Sequence, residues 1–510
     1  MRPQKEPDNN PFIIFTTSPS SAKVDPATRK RVRSHVMRGK NRKTAPVHAG
    51  AEIGSWINGR EDPDASLRSV PANRPRIYLP VGGILTQFHF ADEMTPYMRE
   101  LTFKWFTVIK DSWYPTEACL APHDSPWAEY LTYDRAYLHL MLSSSQAFFD
   151  FARDVKLGTK SIYHLNKSLH VLREHLAVAE LATSDSTIST VMNLAVFAGI
   201  LGDPHAAKQH MQGLCHLVNL RGGIRDLRPN TELQSKVLRT DLTLALSTGS
   251  KPLLFIDGFS WDPYLSRSSL SKNPKTAKSR TAQTLQTLCP SDPRLQNVAL
   301  DLQEFSLAAN LAFQTGRKIP AALYRETLVS VQYRLLALRD EADDASPPAA
   351  SPPAASPPAQ PQHDVLGSSL DADTENLLRL GMLAFTTTLF LQIKLMPIRY
   401  ADLARRVRAC VEGMLVQNPP AEQGGVPVQV GRLRLWFLFV ARTSVLSGAE
   451  DEEALVRATV GVVEGLGFTE EVEWQVVREV LREFMWIDWV RPKEGVVFWE
   501  RLVAAREELR

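Results

Sequence analysis

From Thr95 onward apolar residues return every three or four positions, and a period of that kind held over most of a 510-residue chain leaves little but helices to build with. Leu165, Leu169, Leu172 and Leu176 form one stripe. Tyr137, Met141, Phe148, Phe151 and Val155 form another, widened by Leu138 and Phe149. Residues 190–201, TVMNLAVFAGIL, are apolar almost all round, which predicts a helix enclosed by others. Signals for β-strands are scarce. The expectation is an all-α body whose helices pack ridges into grooves.

Some helix ends can be read directly. Asp203 and Pro204 suit the cap and first turn of a helix carrying Ala207, Met211, Leu214 and Val218, and Gly222-Gly223 stops it after Arg221. Asp185 reads as a cap in the same way. Leu233, Val237, Leu238, Leu242 and Ala245 continue the pattern up to Gly249 and Pro252. Further helices are expected at residues 297–315 and 320–339. Trp474, Val477, Leu481 and Phe484 place another near the end of the chain.

Two segments break the period. Residues 1–75 are rich in Pro, Ser, Asn, Lys and Arg and bury too little apolar surface to offset the entropy of ordering, so a disordered leader is expected. Residues 345–360 repeat Ala-Ser-Pro-Pro-Ala, which removes backbone donors and favours extended chain. The expected organisation is therefore a leader over 1–75, helical regions over 76–340 and 374–510, and a disordered loop over 341–373. No secretion signal is read at the start. The apolar stretch at 380–393 is too short for a membrane span, so a buried helix is expected and no membrane partner.

Charge is distributed unevenly. Residues 22–46 hold nine Lys and Arg against one acid, Asp25, a local charge of +8 in a chain whose total is +3. The remainder is net acidic, and residues 450–510 carry fifteen acids against eight bases. The cluster Arg29, Lys30, Arg31, Arg33, Arg38, Lys40, Arg42 and Lys43 is dense enough to engage an acidic groove on a nuclear import receptor, or phosphate backbones without base specificity. Any nucleic-acid contact is expected through this leader alone, and the acidic body is expected to meet proteins or small molecules.

Catalytic and metal chemistry leave no recognisable pattern. His205, His210 and His216 are spaced by five and six residues, whereas two ligands on one helical face need three or four. Cys119, Cys215, Cys289 and Cys410 lie too far apart for a close zinc or redox pair. No nucleophile elbow, phosphate-binding loop or dinucleotide fingerprint is present, and Gly461, Gly465 and Gly467 read as a helix end. No catalytic residue, metal ligand or cofactor is expected, although paired carboxylates from distant helices escape any sequence reading.

Several stretches together resemble one family. The leader FIIFTTSPSSAKVDPATRKRVRSHVMRGKNRK, then WYPTEACLAPHDSPWAEYLTYDRAYLH, GDPHAAKQHMQGLCHLVNLRGGIRDL, KVLRTDLTLALSTGSKPLL and the late FMWIDW are similar to fungal-specific transcription factors, in the regulatory domain of the zinc binuclear cluster type. The most specific element is the helix end with His210, Gly213, Arg221, Gly222 and Gly223, followed by Arg239 and Asp241. For these residues structural roles are expected: Gly213 admitting a neighbouring helix, and Arg221 reaching the last carbonyls of its helix or pairing with Asp241. The resemblance implies an all-helical nuclear regulator of metabolic or secondary-metabolite genes, with transcription-machinery or other regulatory proteins as partners and room for a small-molecule effector. The sequence departs from the family in one respect: four scattered cysteines cannot build a six-cysteine zinc cluster. The alternatives are an enzyme or small-molecule carrier with a site buried among the helices, and a scaffold without transcriptional effect.

Overall fold

A computed structural model describes residues 89–109, 127–151, 157–254, 292–344, 365–391, 400–416, 427–468, 472–490 and 492–508, with Ile398 and a few positions between 261 and 289. These residues form sixteen α-helices, with short 3-10 and π turns and no β-strand among them. The chain is all-α. The leader, including Arg29, Lys30, Arg31, Arg33, Arg38, Lys40, Arg42 and Lys43, lies outside the described residues.

The first group of helices is α1 (Pro96–Lys104), α2 (Trp127–Tyr133), α3 (Arg135–Phe151), α4 (Thr159–Leu176), the short α5 (Ala179–Ala182), α6 (Asp185–Ile200) and α7 (Pro204–Leu220). A 3-10 turn, Ile224–Asn230, leads into α8 (Thr231–Thr248). α6 is ringed by α2, α3, α4, α5, α7 and α8, which is why a helix apolar on every side is stable there. Ser184 caps α6 by accepting from the Thr187 N–H, so Asp185 is its first residue and not its cap. Asp203 does cap α7, accepting from the Ala206 N–H at 2.9 Å.

The second group is α9 (Pro293–Thr315), α10 (Ala321–Asp344), α11 (Val365–Thr386), α12 (Ala401–Val416), α13 (Val428–Thr443), α14 (Glu452–Gly465), α15 (Trp474–Phe484) and α16 (Pro492–Glu508). At its centre α13 is buried from Leu433 to Ala441 and packs against α11, α14, α15 and α16. Trp436 stacks on Phe484 with ring centroids 5.7 Å apart and donates its indole N–H to the Met485 carbonyl at 2.8 Å. Phe439 meets Phe498 at 5.1 Å. α11 crosses α13 at Gly381, where a Cβ would run into the Trp436 ring, so that only glycine fits. α11 begins at Val365, inside the segment read from sequence as loop. Its first turns carry Gly367, Ser368 and Ser369 and no sustained apolar stripe.

α8 joins the two groups. Leu233, Val237 and Leu244 belong to the core of the first, and Leu242, Ala245 and Leu246 to that of the second. The carboxylate of Asp241, buried on α8, accepts the N–H groups of Leu253 and Leu254, each at 2.8 Å, and the hydroxyl of Tyr333 from α10, also at 2.8 Å. Burial raises the Asp241 carboxyl, and these three hydrogen bonds oppose that rise. No described helix is long and apolar enough to cross a membrane.

Candidate functional site

The polar interior of the first group lies between α3 and α4. Ala136, His139, Ser143, Gln146 and Asp150 recur along α3 at spacings of three and four, as do Ser161, His164, Ser168, Val171 and His175 along α4. That is the spacing of a packed helical seam, filled here with polar groups. The antiparallel register is fixed by hydrogen bonds: Ser143 donates to the Ser161 carbonyl at 2.9 Å, Ser168 to the Ala136 carbonyl at 2.8 Å, and Ser161 to Asp150 at 2.7 Å. Asp150 also accepts the Gly158 N–H and the Gln146 amide, each at 2.8 Å. The stripe read from sequence on α4 is displaced as a result. Leu165 and Leu169 are half-buried and Leu176 is exposed, while Ser161, His164 and Ser168 face inward.

At the middle of this seam the Nδ1 atoms of His139 and His164 are 2.9 Å apart, and the rings stack with centroids separated by 5.1 Å. His139 Nε2 lies 3.0 Å from Asp92 Oδ2, which also accepts from Lys167 at 2.6 Å. Burial works to raise the Asp92 carboxyl, but the hydrogen bonds from Lys167, His139 and the Glu93 backbone, with the Lys167 charge, more than reverse it. The ionised carboxylate makes His139 an Nε2–H donor, leaving its Nδ1 to accept from His164. Burial pushes His164 down to about 4, helped by His139, Lys167 and Lys160. It lowers His139 as well, against the pull of Asp92.

The residues singled out from sequence cluster only in part. Arg221, at the end of α7, donates to Asp185 and, at 3.2 Å, to the Thr183 carbonyl. It therefore ties α7 to the start of α6 and does not meet Asp241, which faces α10 and the chain after α8. Asn230 joins the same cluster, donating to Asp185 and to the Tyr130 hydroxyl at 2.8 and 2.9 Å while capping α8. Gly222 and Gly223 have φ of 113° and 102°, a region that L side chains rarely adopt, and the Gly223 N–H closes the helix on the Val218 carbonyl at 2.9 Å. Gly213 is exposed, with open space where a Cβ would stand, so no helix approaches it. His210 is half-buried, and burial lowers its pKa against Asp203. Arg239 lies 200° around α8 from Asp241 by helical geometry, and its charge acts on Lys236 and Tyr400.

His175 approaches both Thr187 (3.4 Å) and Asp134 (3.7 Å), but through the same Nδ1 atom. A relay needs the two partners on opposite ring nitrogens, so this contact orients the ring without activating the hydroxyl. His205 and His216 are exposed, and no group of three His, Cys, Asp or Glu among the described residues is placed to hold a metal ion. The polar seam was missed by reading apolar periodicity alone. Its signal was present in the 3-4 spacing of Ser, His and Asp across residues 136–175.

The geometry thus defines a domain of packed helices with a hydrogen-bonded polar seam between α3 and α4. The family model described as fungal specific transcription factor domain matches residues 103–304, from within α1 to within α9. Over that span the chain is similar to the fungal specific transcription factor domain. No curated protein and no solved structure matches the chain.

Proposed function

We propose that this chain is a nuclear transcriptional regulator or co-regulator that acts through its helical body and has no catalytic role. The observation that carries the reading is the family match over residues 103–304. The basic segment with Arg29, Lys30, Arg31, Arg33, Arg38, Lys40, Arg42 and Lys43 engages a nuclear import receptor and supplies any contact with nucleic acid. The body, net acidic in sequence, engages transcription-machinery or other regulatory proteins and a small-molecule effector, and the targets are metabolic or secondary-metabolite genes. With four scattered cysteines in these 510 residues, sequence-specific reading of DNA falls to a partner.

Expression of the fluorescently tagged full chain in a fungal cell tests this. The unaltered protein is expected in the nucleus and on chromatin, and the variant with Arg29, Lys30, Arg31 and Arg33 all changed to Ala is expected in the cytoplasm. A cytoplasmic location for both, with no genomic site enriched when the chain is recovered from cross-linked chromatin, rejects the regulatory reading.

A further inference from the structure

The pole of the first group where α4 stops and α6 starts is apolar at its surface. Residues 176–181, Leu-Ala-Val-Ala-Glu-Leu, are all exposed and carry one charge among them. Arg221 donates to the Thr183 carbonyl at 3.2 Å, which brings Leu220 at the end of α7 to the same pole. His175 lies 3.7 Å from Asp134, which brings Tyr133 at the end of α2 there as well. Leu176, Val178, Leu181, Leu220 and Tyr133 each leave between 44% and 61% of their surface to solvent. Single exposed apolar side chains are ordinary, whereas five gathered at one pole mark a docking surface.

The path of the chain brings one occupant to this pole. Followed backward, Lys104 lies over the Phe149 ring near the end of α3, and Tyr97 donates to Gln146. Asp92 then meets His139 and Lys167, and the Ala91 N–H donates to the Leu131 carbonyl on α2 at 2.9 Å. The chain thus runs along α3 from its start toward its end, and ahead of Ala91 it comes from the side of Tyr133 and Leu176. Ile162 and Tyr163, also exposed, stand at the opposite end of α4, where the chain is going. The described residues begin at His89. The twelve residues ahead of it, 77–88, read IYLPVGGILTQF, with seven large apolar side chains and no charge. Twelve residues span at most about 40 Å, ample to cross the pole from that entry point.

We propose that this pole is the seat of the chain's own residues 77–88, which cover it in cis, with Ile84, Leu85 and Phe88 supplying the apolar side chains nearest the point of entry. Both surfaces leave water together, and the uncharged segment gives up no ionic hydration in doing so. A protein partner that takes the pole has to displace the segment, so the contact is a built-in competitor for this surface. The proposal goes beyond the regulatory reading and is tested on the purified chain, so a failure here and a failure of nuclear localisation are separate results.

The test places the photo-cross-linker benzoylphenylalanine at Leu181 of the full chain and irradiates an equal mixture of isotopically light and heavy protein. Mass spectrometry is expected to find the cross-link on residues 77–88 within one chain, and the same probe at Ile162 is expected to miss them. Ile84→Ser combined with Leu85→Ser is expected to speed backbone hydrogen exchange at residues 176–181 by about tenfold or more, the equivalent of one apolar side chain uncovered. Exchange in α13 stays unchanged in that variant, which shows that the body is still folded. Cross-links that join light to heavy chains assign the pole to a second copy and overturn the proposal. So does a probe at Leu181 that reaches no residue of 77–88, or exchange at 176–181 that the serine variant leaves as it was.

Discussion

The pair α3–α4 and the helices around α13 solve the same packing problem with opposite chemistry. Around α13 the interior is filled by Trp436, Phe437, Phe439, Phe484 and Phe498, with Gly381 cut to fit the Trp436 ring. Between α3 and α4 it is filled by Ser143, Ser161, His139, His164 and Ser168, each satisfied by a partner across the seam. An apolar interior draws stability from area removed from water and tolerates some sliding of one helix on another. A polar seam gains little net energy per bond but is expensive in any register that leaves a buried group unpaired. The first region therefore specifies alignment, and the second contributes stability through apolar burial.

The largest test of this contrast is Trp436→Ala. It is expected to cost about 3–5 kcal/mol of unfolding free energy, from lost burial and the cavity left behind. Urea denaturation followed by circular dichroism measures it. A loss under 1 kcal/mol would mean that α13 is not the centre of its group.

Acid should act first on the polar seam. His164 is held down to about 4, so below the ordinary histidine value near 6.5 the unfolded chain binds a proton that the folded chain does not. Stability is full above about pH 6.5 and falls between there and pH 4, by an amount on the order of 3 kcal/mol for a shift of this size. Asp92, whose folded pKa is also depressed, extends the loss to lower pH. Urea midpoints measured from pH 7.5 to 4.5 should show this slope, and His164→Gln should flatten it. An unaltered slope in that variant assigns the acid response to other groups.

Gly223→Ala probes how α7 is turned toward the Arg221–Asp185 cluster. With φ at 102° an added Cβ should cost about 1–3 kcal/mol, visible as a lower thermal midpoint. The smallest expected effect has the opposite sign. Gly213 is helical and exposed with open space around it, so Gly213→Ala should stabilise the chain by about 0.5–1 kcal/mol. A destabilised variant would restore the close helix contact expected from the sequence.

Much of the fold was legible because apolar spacing, caps and glycine stops act locally. The end of α7 at Gly222-Gly223, the Asp203 cap, the enclosed α6 and the Trp474 helix all follow from residues within a turn or two of one another. The α4 stripe did not, because Leu165, Leu169 and Leu176 are apolar enough to suggest a core face, and only α3 decides that Ser161, His164 and Ser168 turn inward. The partner of Arg221 was equally hidden. Asp185 lies 36 residues earlier in the chain, and reach along a helix favours the nearer Asp241 as a guess.

The amino-acid sequence by itself determined that the chain is helical, where several helices stop, and that its positive charge gathers in residues 22–46. The tertiary structure decided which polar groups meet. Asp92 reaches His139 and Lys167, and Asp241 reaches Tyr333, across separations of 47 to 92 residues. The physical reason is that helix formation is governed by neighbours within about one turn, whereas the pairing of buried charges depends on crossing geometry that no short segment encodes.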